Sequence, residues 1–179
     1  MANNNMSVKG LTGRLGDIRR TNNFILTIND VTNDNNLSLV VQQAFIPRYN
    51  LQVLEFRRGV DSKKLPGAAT WTGGTITILD TLSKDELEAL HDWAEKTYDS
   101  RNGKIGKAED FKKTGTLTEY ASDGTLSRSW DLEGMWISEF DYGQLDASTS
   151  ELKRVTFTIQ IDPPTTKGIR PTYGDGYED

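Results

Sequence analysis

The residue types that most often carry chemistry are sparse in this chain. Its 179 residues include one histidine, His91, and no cysteine. Thiol catalysis, disulfides and cysteine-based zinc sites are therefore excluded, and a single imidazole cannot supply the ligands of a zinc centre. We interpret His91 as a residue on the surface of a helix rather than as a catalytic base.

Two short stretches only partly match known ligand-binding loops. The glycines of residues 103–106 are too close together for a phosphate loop, and Ala108 stands where a magnesium-binding Ser or Thr is needed. The stretch that starts at Asp30 lacks the features of an EF-hand, since Asn35 replaces the turn glycine and Val41 the closing glutamate. None of the 26 acidic residues is placed as a hydrolase pair. The sequence predicts a protein that is not an enzyme, with no cofactor and no metal.

Length, composition and charge indicate a single soluble domain. The chain is 35% hydrophobic and carries a net charge of −5. Duplex DNA carries about one negative charge per 1.7 Å of its axis, so this chain is not expected to bind it. We found no signal-peptide pattern at the start and no apolar run near the about 18 residues of a membrane span. We therefore expect synthesis in a cytosol and no membrane association.

A basic insert between two predicted strands is the strongest candidate for a binding function. The strands lie at residues 51–56 and 75–79, and the insert at 57–74 is far longer than a hairpin loop of about 2 to 5 residues. It mixes basic with apolar side chains, which favours an arm that docks on another protein; the alternative is a flexible surface loop with chance basic residues. The residues considered for contact are Arg57, Arg58, Lys63, Lys64, Leu65, Pro66, Gly67 and Trp71.

The remaining pattern is mainly β. Besides the two strands already named, alternating or β-branched runs predict strands at residues 24–28, 37–45, 114–120, 125–132, 135–142 and 152–161. The turn at residues 122–124 joins two of these strands in a hairpin.

One helix is predicted at residues 83–99. Ser83 and Glu86 form a capping box, and Leu82 and Leu87 have the spacing of a hydrophobic staple. The helical period places one apolar face toward a sheet. The residues of that face are Leu87, Leu90, Trp93, Ala94 and Tyr98.

Several phrases, taken in order, resemble the tail tube proteins of contractile-tailed phages of the T-even type. They are KLPG at residues 64–67, the strand TITIL, the helical HDWAEK, then GKAEDFKKTGTLTEY, LEGMW and GQLDAS. The order and spacing of these phrases carry the resemblance, which covers residues 23–161. More distantly, the chain resembles the hemolysin-coregulated tube protein of type VI secretion systems.

This resemblance implies a β-sandwich or barrel with one flanking helix. It implies that subunits close into hexameric rings, which stack into a hollow tube inside a contractile sheath. The implied partners are further copies of the chain, the sheath protein, and baseplate and tail terminator proteins, while double-stranded DNA passes without specific binding. The implied location is the phage tail of a virion, assembled in the host cytoplasm.

Individual segments acquire expected roles from the resemblance. The insert at residues 57–74 is expected to hold one ring to the next. We expect three regions: an N-terminal arm at 1–22, the tube domain at 23–161 and a C-terminal extension at 162–179.

The bore of such a tube must let DNA slide, so its lining should be polar and neutral to acidic. Alternation along a strand does not by itself fix which face is inward. The candidates for the lining are Gln42, Glu119, Ser127, Ser129 and Asp131.

Other functions remain open at this stage. One is a specialised relative in the same kind of machine: a tube initiator or terminator ring, or the tube protein of a type VI system or phage-like particle. Another is a monomeric carbohydrate-binding β-sandwich, which would expose Trp71, Trp130 or Trp136 in a sugar-stacking groove.

Overall fold

The computed structural model describes residues 20–31, 40–82, 85–148, 150–165 and 171–174. These residues form eleven strands and two helices, numbered here in chain order. They are β1 (Phe24–Ile28), β2 (Val41–Gln43), β3 (Arg48–Arg58), β4 (Asp61–Thr72), β5 (Gly74–Leu79), α1 (Asp85–Thr97), β6 (Tyr98–Asp99), β7 (Lys104–Ile105), α2 (Ala108–Phe111), β8 (Lys113–Tyr120), β9 (Leu126–Asp141), β10 (Arg154–Gln160) and β11 (Thr172–Tyr173).

Seven strands form one antiparallel sheet in the order β1-β8-β9-β10-β5-β2, with β11 also paired to β9. The 16-residue strand β9 belongs to both halves of this sheet, because its first part pairs with β8 and its last part with β10. The two halves share one core, which joins Leu26 and Leu117 from one half to Ile78 and Phe157 from the other. The mainly β sandwich with a flanking helix, predicted from the sequence, is confirmed.

Strand β9 contains a bulge near the point where its pairing changes from β8 to β10. The pairing with β8 shifts between Leu132 and Met135, and Gly134 adopts a φ of 61°. This left-handed conformation favours glycine. A Cβ at this position would also lie 2.1 Å from a carboxylate oxygen of Asp162. The two strands predicted at 125–132 and 135–142 are therefore one strand with a bulge.

Alternation along β10 shows how the strands build the core. Val155, Phe157 and Ile159 are buried, while Thr156 and Thr158 between them are half-buried. Burying an aliphatic or aromatic side chain of this size contributes about 1.5 to 3 kcal/mol. Strand β10 lies between β5 and β9, so the apolar side of the sheet is continuous across its centre.

Helix α1 packs its apolar face on the sheet but is shorter than predicted. Leu90 and Trp93 are buried, and Leu87 and Ala94 pack against the core. Tyr98 is different, because it follows the helix in β6 and is 53% exposed. The prediction that it belongs to the packed face is wrong.

The predicted start of the helix can be compared only in part. Ser83, one member of the capping box, lies outside the described residues. Leu82 is fully exposed, so the predicted staple with Leu87 does not form.

Two further segments differ from expectation. Of the strand predicted at 37–45, only β2 is a strand among the described residues, and residues 37–39 lie outside them. In the predicted C-terminal extension, β11 pairs with the first part of β9, where Thr172 faces Ser129. The predicted N-terminal arm lies outside the described residues up to residue 19.

Candidate assembly surfaces

The predicted insert is a long β-hairpin. Strands β3 and β4 pair from Arg48 opposite Thr72 to Arg58 opposite Asp61. They are joined by a two-residue turn in which Gly59 has a φ of 64°, as tight hairpin turns require. The expectation of a loop at 57–74 is thus corrected, because most of these residues belong to paired strands.

This hairpin projects from the body of the protein. Among the described residues, β3 and β4 pair only with each other. Every residue of β3 is exposed, and Val60 at the turn is fully exposed. An isolated two-stranded hairpin is at best marginally stable in water. A projecting hairpin of this length therefore indicates a surface that is covered in an assembly.

The outer half of the hairpin carries an apolar patch on one side. Leu54 lies directly opposite Leu65, and Phe56 is on the same side two residues further along. Between 49% and 61% of each of these three residues is exposed. Leucine and phenylalanine at such exposure, next to one another, mark an interaction surface.

Charged side chains lie on both sides of the outer half of the hairpin, and Lys63 shares the side of the apolar patch. Lys64 lies opposite Glu55, and Glu55 forms an ion pair with Arg57 at 3.2 Å. Residues 48–72 contain five basic and two acidic side chains, a net charge of +3, so the rest of the chain carries −8. The hairpin is therefore the basic part of an acidic protein.

Trp71 has a different position from the other predicted contact residues. It is half-buried at the base of the hairpin, where its ring lies 5.4 Å from that of Tyr49 and it packs against the core. Trp71 therefore anchors the hairpin to the body and is not presented at its outer end. Arg57, Arg58, Lys63, Lys64, Leu65 and Pro66 are exposed, and Gly67 is half-buried where a bulge shifts the register.

The outer face of β8 and β9 is polar. Thr116 lies opposite Asp131, and Thr118 opposite Ser129. On β8 these threonines alternate with buried Gly115 and Leu117, which places them on the side away from the core. This strip carries hydroxyls and one carboxylate, so it is neutral to acidic.

The other three residues predicted to line a bore are placed differently. Ser127 is 1% exposed, so it does not present its hydroxyl to solvent. Glu119 lies two residues after buried Leu117, on the same side of β8. It forms an ion pair at 2.9 Å with Arg128. The prediction is wrong for Ser127, which is the extra residue of β9 where the register with β8 shifts, and it stays a prediction for Glu119. Gln42 is exposed and accepts a hydrogen bond from Arg154 at 2.9 Å.

Three further exposed leucines lie in connections that the sequence patterns did not single out. Leu82 follows β5, and Leu145 and Leu152 lie between β9 and β10. Their exposed fractions are 104%, 87% and 68%, and Tyr142 nearby is 44% exposed. Leucines in turn-rich segments have no periodic signal, so only the structure reveals them.

Metal-binding side chains do not cluster in the described part of the chain. No group of three or more His, Asp or Glu side chains there could hold a metal ion. The ring of exposed His91 lies 6.1 Å from that of Phe140 and 6.2 Å from that of Tyr142. A cavity of about 370 Å³ lies between β1 and β2, and its lining includes Phe24 and Glu119.

The tryptophans do not form a sugar-stacking groove. Trp93 and Trp130 are buried, and Trp71 and Trp136 are half-buried. The ring of Trp136 lies 6.2 Å from that of Phe111, at an angle of 67°. The carbohydrate-binding alternative therefore loses the feature on which it depended. None of the helices described is long and apolar enough to cross a membrane.

Comparison with known proteins gives one family match and several matching structures. The family model described as T4-like virus tail tube protein gp19 matches residues 20–163. No curated protein matches the sequence significantly.

Two solved structures share the fold at low sequence identity. A chain of the anti-feeding prophage baseplate, solved by cryo-EM with 6-fold symmetry, has a TM-score of 0.64 at 12% identity, over 82% of this chain and 93% of that one. A chain of the sheath-tube complex of an extracellular contractile injection system, PVC, has a TM-score of 0.55 at 20% identity, over 87% and 94%. The Hcp1 protein of E. coli EAEC 042 matches more weakly, with a TM-score of 0.42 at 10% identity, over 78% and 86%.

Proposed function

The chain belongs to the family of T4-like virus tail tube proteins, and we propose that its copies close into hexameric rings that stack into the inner tube of a contractile phage tail. In this role the protein is a structural component of the virion and forms the conduit through which DNA enters the host. The observation that carries the proposal is the projecting β-hairpin, which has the exposed apolar and basic side chains of a contact surface and no cover within the described chain.

Ring closure is supported by the edges of the sheet. Strands β1 and β2 end the paired order, so each leaves one edge unpaired among the described residues. Unpaired edges are templates for pairing with another chain. Head-to-tail contacts between identical subunits give a ring when the rotation closes. The six-fold number is taken from the family resemblance and from the 6-fold symmetrised baseplate that contains a similar chain.

Stacking of rings is assigned to the hairpin. Its apolar patch can be buried against a neighbour while Arg57, Arg58, Lys63 and Lys64 meet carboxylates. One hairpin would bind weakly. Six hairpins on one ring engage together, so that modest individual contacts add up through a high effective concentration.

The lining of the bore is assigned to the polar outer face of β8 and β9. Thr116, Thr118, Ser129 and Asp131 present hydroxyls and a carboxylate there. Such a surface does not attract phosphates and lets a duplex slide.

The remaining partners follow from the same role. We assign ring formation to residues 23–161, with 1–22 as an arm and 162–179 as an extension. The outer surface of the tube meets the sheath protein, as the sheath-tube complex that contains a similar chain suggests. The ends of the tube meet baseplate and terminator proteins.

Electron microscopy of the purified protein, together with sedimentation, tests the proposal. We expect rings with six-fold symmetry and hollow tubes that lengthen with protein concentration. Single rings that never stack would favour a second candidate, a tube initiator or terminator, which is supported by the likeness to a baseplate chain. A protein that sediments as a monomer at every concentration would contradict both.

A further inference from the structure

The turn between β6 and β7 contains a pair of residues with a chemical weakness. Asn102 and Gly103 form the one Asn-Gly pair in the sequence. An asparagine in this position is readily deamidated, because the glycine after it has no side chain to hinder its own backbone nitrogen. Both residues are exposed, and a Cβ added at Gly103 would meet no atom within 4 Å, so water reaches the turn. Asn102 is therefore a candidate for covalent modification.

Deamidation joins the backbone nitrogen of Gly103 to the side-chain carbonyl carbon of Asn102. That nitrogen loses its proton to water or hydroxide and attacks the carbon, which closes a succinimide ring. The bond from the carbon to Nδ2 breaks, and this nitrogen takes up a proton from water and leaves as ammonia. Water then opens the ring and gives aspartate or isoaspartate at position 102. Overall, one water is consumed, and a carboxylate and ammonium are formed.

The residue that holds both reacting groups is Asp99. The backbone N–H of Gly103 donates to the carbonyl of Asp99 at 2.8 Å. The Nδ2 of Asn102 donates to the carboxylate of Asp99 at 2.5 Å. The first bond covers the proton that the attacking nitrogen must lose, and such a proton exchanges only when the structure opens locally. The second bond fixes the side chain of Asn102, so its carbonyl carbon cannot turn freely toward the attacking nitrogen.

The carboxylate of Asp99 is itself held in place. Its Oδ1 accepts the backbone N–H of Arg101 at 2.9 Å, and Asp99 lies opposite Lys104 where β6 pairs with β7. The bonds from Arg101 and Asn102 lower the pKa of Asp99 from 3.8, so the group is ionised at neutral pH. An ionised carboxylate only accepts hydrogen bonds and has no proton to give to a departing nitrogen.

From this geometry we infer that Asn102 is a deamidation site and that Asp99 protects it while the turn is closed. Asp99 is a positioning residue, because it holds the reacting groups without reacting itself. The inference concerns the chemical lifetime of the folded chain and does not rest on the proposed assembly.

The product of the reaction disfavours the closed turn. A carboxylate at position 102 has no N–H to donate to Asp99, and two carboxylates at this distance repel each other. Asn102→Asp imitates the aspartate product and should raise the pKa of Asp99, which carboxyl NMR titration measures. The turn therefore does not return to its closed state after it has reacted.

Mass spectrometry of the whole folded protein tests the inference. We would incubate the unchanged protein and Asp99→Ala at mildly alkaline pH and follow the chymotryptic peptide of residues 99–111, in which Asn102 is the single asparagine. The unchanged chain in urea gives the rate of the unprotected site, and we expect the folded protein to react much more slowly. Asp99→Ala should react about tenfold faster than the unchanged folded protein, since a hydrogen bond to a charged group is lost.

The matched control is Asp123→Ala. Asp123 is also an exposed turn carboxylate that accepts a side-chain and a backbone donor, both from Thr125. It lies between β8 and β9, in a different turn. Its loss should leave the deamidation rate of Asn102 unchanged.

Hydrogen exchange separates protection by the carboxylate from a general loosening of the turn. Asp99→Ala keeps the backbone carbonyl that accepts the N–H of Gly103. The exchange rate of this N–H should therefore rise far less than the deamidation rate of Asn102. If both rates rise by the same factor, the carboxylate only stabilises the turn, and its assignment as the protecting group is wrong.

The remaining outcomes also decide the matter. Equal rates for the folded and the urea-unfolded protein would overturn the inference, and this comparison does not depend on how well any variant folds. An unchanged rate in Asp99→Ala, or an equal increase in Asp123→Ala, would overturn it as well. Whether rings and tubes form is decided separately by microscopy and sedimentation, so failure of one proposal leaves the other standing.

Discussion

At the scale of single residues, Trp93 is the side chain on which most of the helix packing depends. It is 1% exposed, and its indole N–H donates to the carbonyl of Phe111 at 2.6 Å. Trp93→Ala should destabilise the fold by about 3 to 5 kcal/mol, through lost burial and an unfilled cavity. Urea unfolding measures this loss.

Trp93→Phe provides the matched comparison, since it keeps an aromatic ring and removes the donor. It should cost clearly less than the alanine variant. Equal melting temperatures for Trp93→Ala and the unchanged protein would show that the helix does not pack as described.

The turn between β8 and β9 gives a prediction about pH. The Thr125 hydroxyl and backbone N–H both donate to Asp123 and lower the pKa of its carboxyl from 3.8. A lowered pKa means that the ionised form is favoured in the folded state. Its contribution to stability is therefore complete above the ordinary pKa and is lost as the pH falls through the folded value.

Carboxyl NMR titration checks the cause of this shift. Thr125→Val removes the hydroxyl donor and should raise the pKa of Asp123 toward its ordinary value. The pKa of Asp99 should stay low, because its donors are Arg101 and Asn102. An unchanged Asp123 titration in the valine variant would contradict the assignment.

Residue positions were predictable from sequence where the strands are regular. Alternation correctly separates Val155, Phe157 and Ile159 from the threonines between them. It fails for Ser127, because a register shift between neighbouring strands cannot be read from the period of one strand. Tyr98 fails because the helix ends one residue before it.

At the scale of elements, β4 of the hairpin is a strand that the sequence pattern did not predict. Pro66 and Gly67 are unfavourable in a strand interior, and a bulge between them and Ala69 breaks the alternation that identifies strands. Strand β4 nevertheless pairs with β3 on both sides of the bulge. Composition did indicate correctly that the segment combines basic with apolar side chains.

The bulge in β9 leads to a prediction about Gly134. Gly134→Ala should destabilise the fold for two reasons: φ is positive, and the new Cβ would displace Asp162 from its ion pair with Lys112. Thermal unfolding measures the cost.

Gly124→Ala is the control, because its φ is also positive while no atom lies within 4 Å of the new Cβ. Conformational strain alone costs about 1 to 2 kcal/mol. Gly134→Ala should exceed Gly124→Ala by the cost of moving Asp162. If the two variants lose equal stability, the close approach of the new Cβ to Asp162 does not destabilise the fold.

At the scale of the whole molecule, the sequence predicted the architecture and singled out the basic insert, but it did not reveal the other exposed apolar residues. The mainly β fold and its flanking helix follow from periods that the core imposes on each element. The separation of the hairpin from the main sheet, and the exposure of the leucines after β5 and before β10, depend on how elements are joined in space. No local period encodes that arrangement.

The division of charge within the subunit leads to a prediction about the assembled tube. Reversing Arg57, Arg58, Lys63 and Lys64 to glutamate should leave a folded subunit, since all four side chains are exposed, but should prevent long tubes. The altered hairpin would repel an acidic neighbour. Raised salt should also shorten tubes of the unchanged protein, because charges are screened within about 3 Å in 1 M salt.

The control must change the net charge by the same amount at another place. Reversing Lys96, Arg101, Lys104 and Lys107, which are all exposed and outside the hairpin, does so. Electron micrographs of the two variants at equal concentration then compare position with total charge. If both lose their tubes, general repulsion is the cause; if the hairpin variant keeps tubes of normal length at ordinary salt, its basic residues do not hold the rings together. Only loss confined to the hairpin variant agrees with a basic arm that docks on an acidic surface.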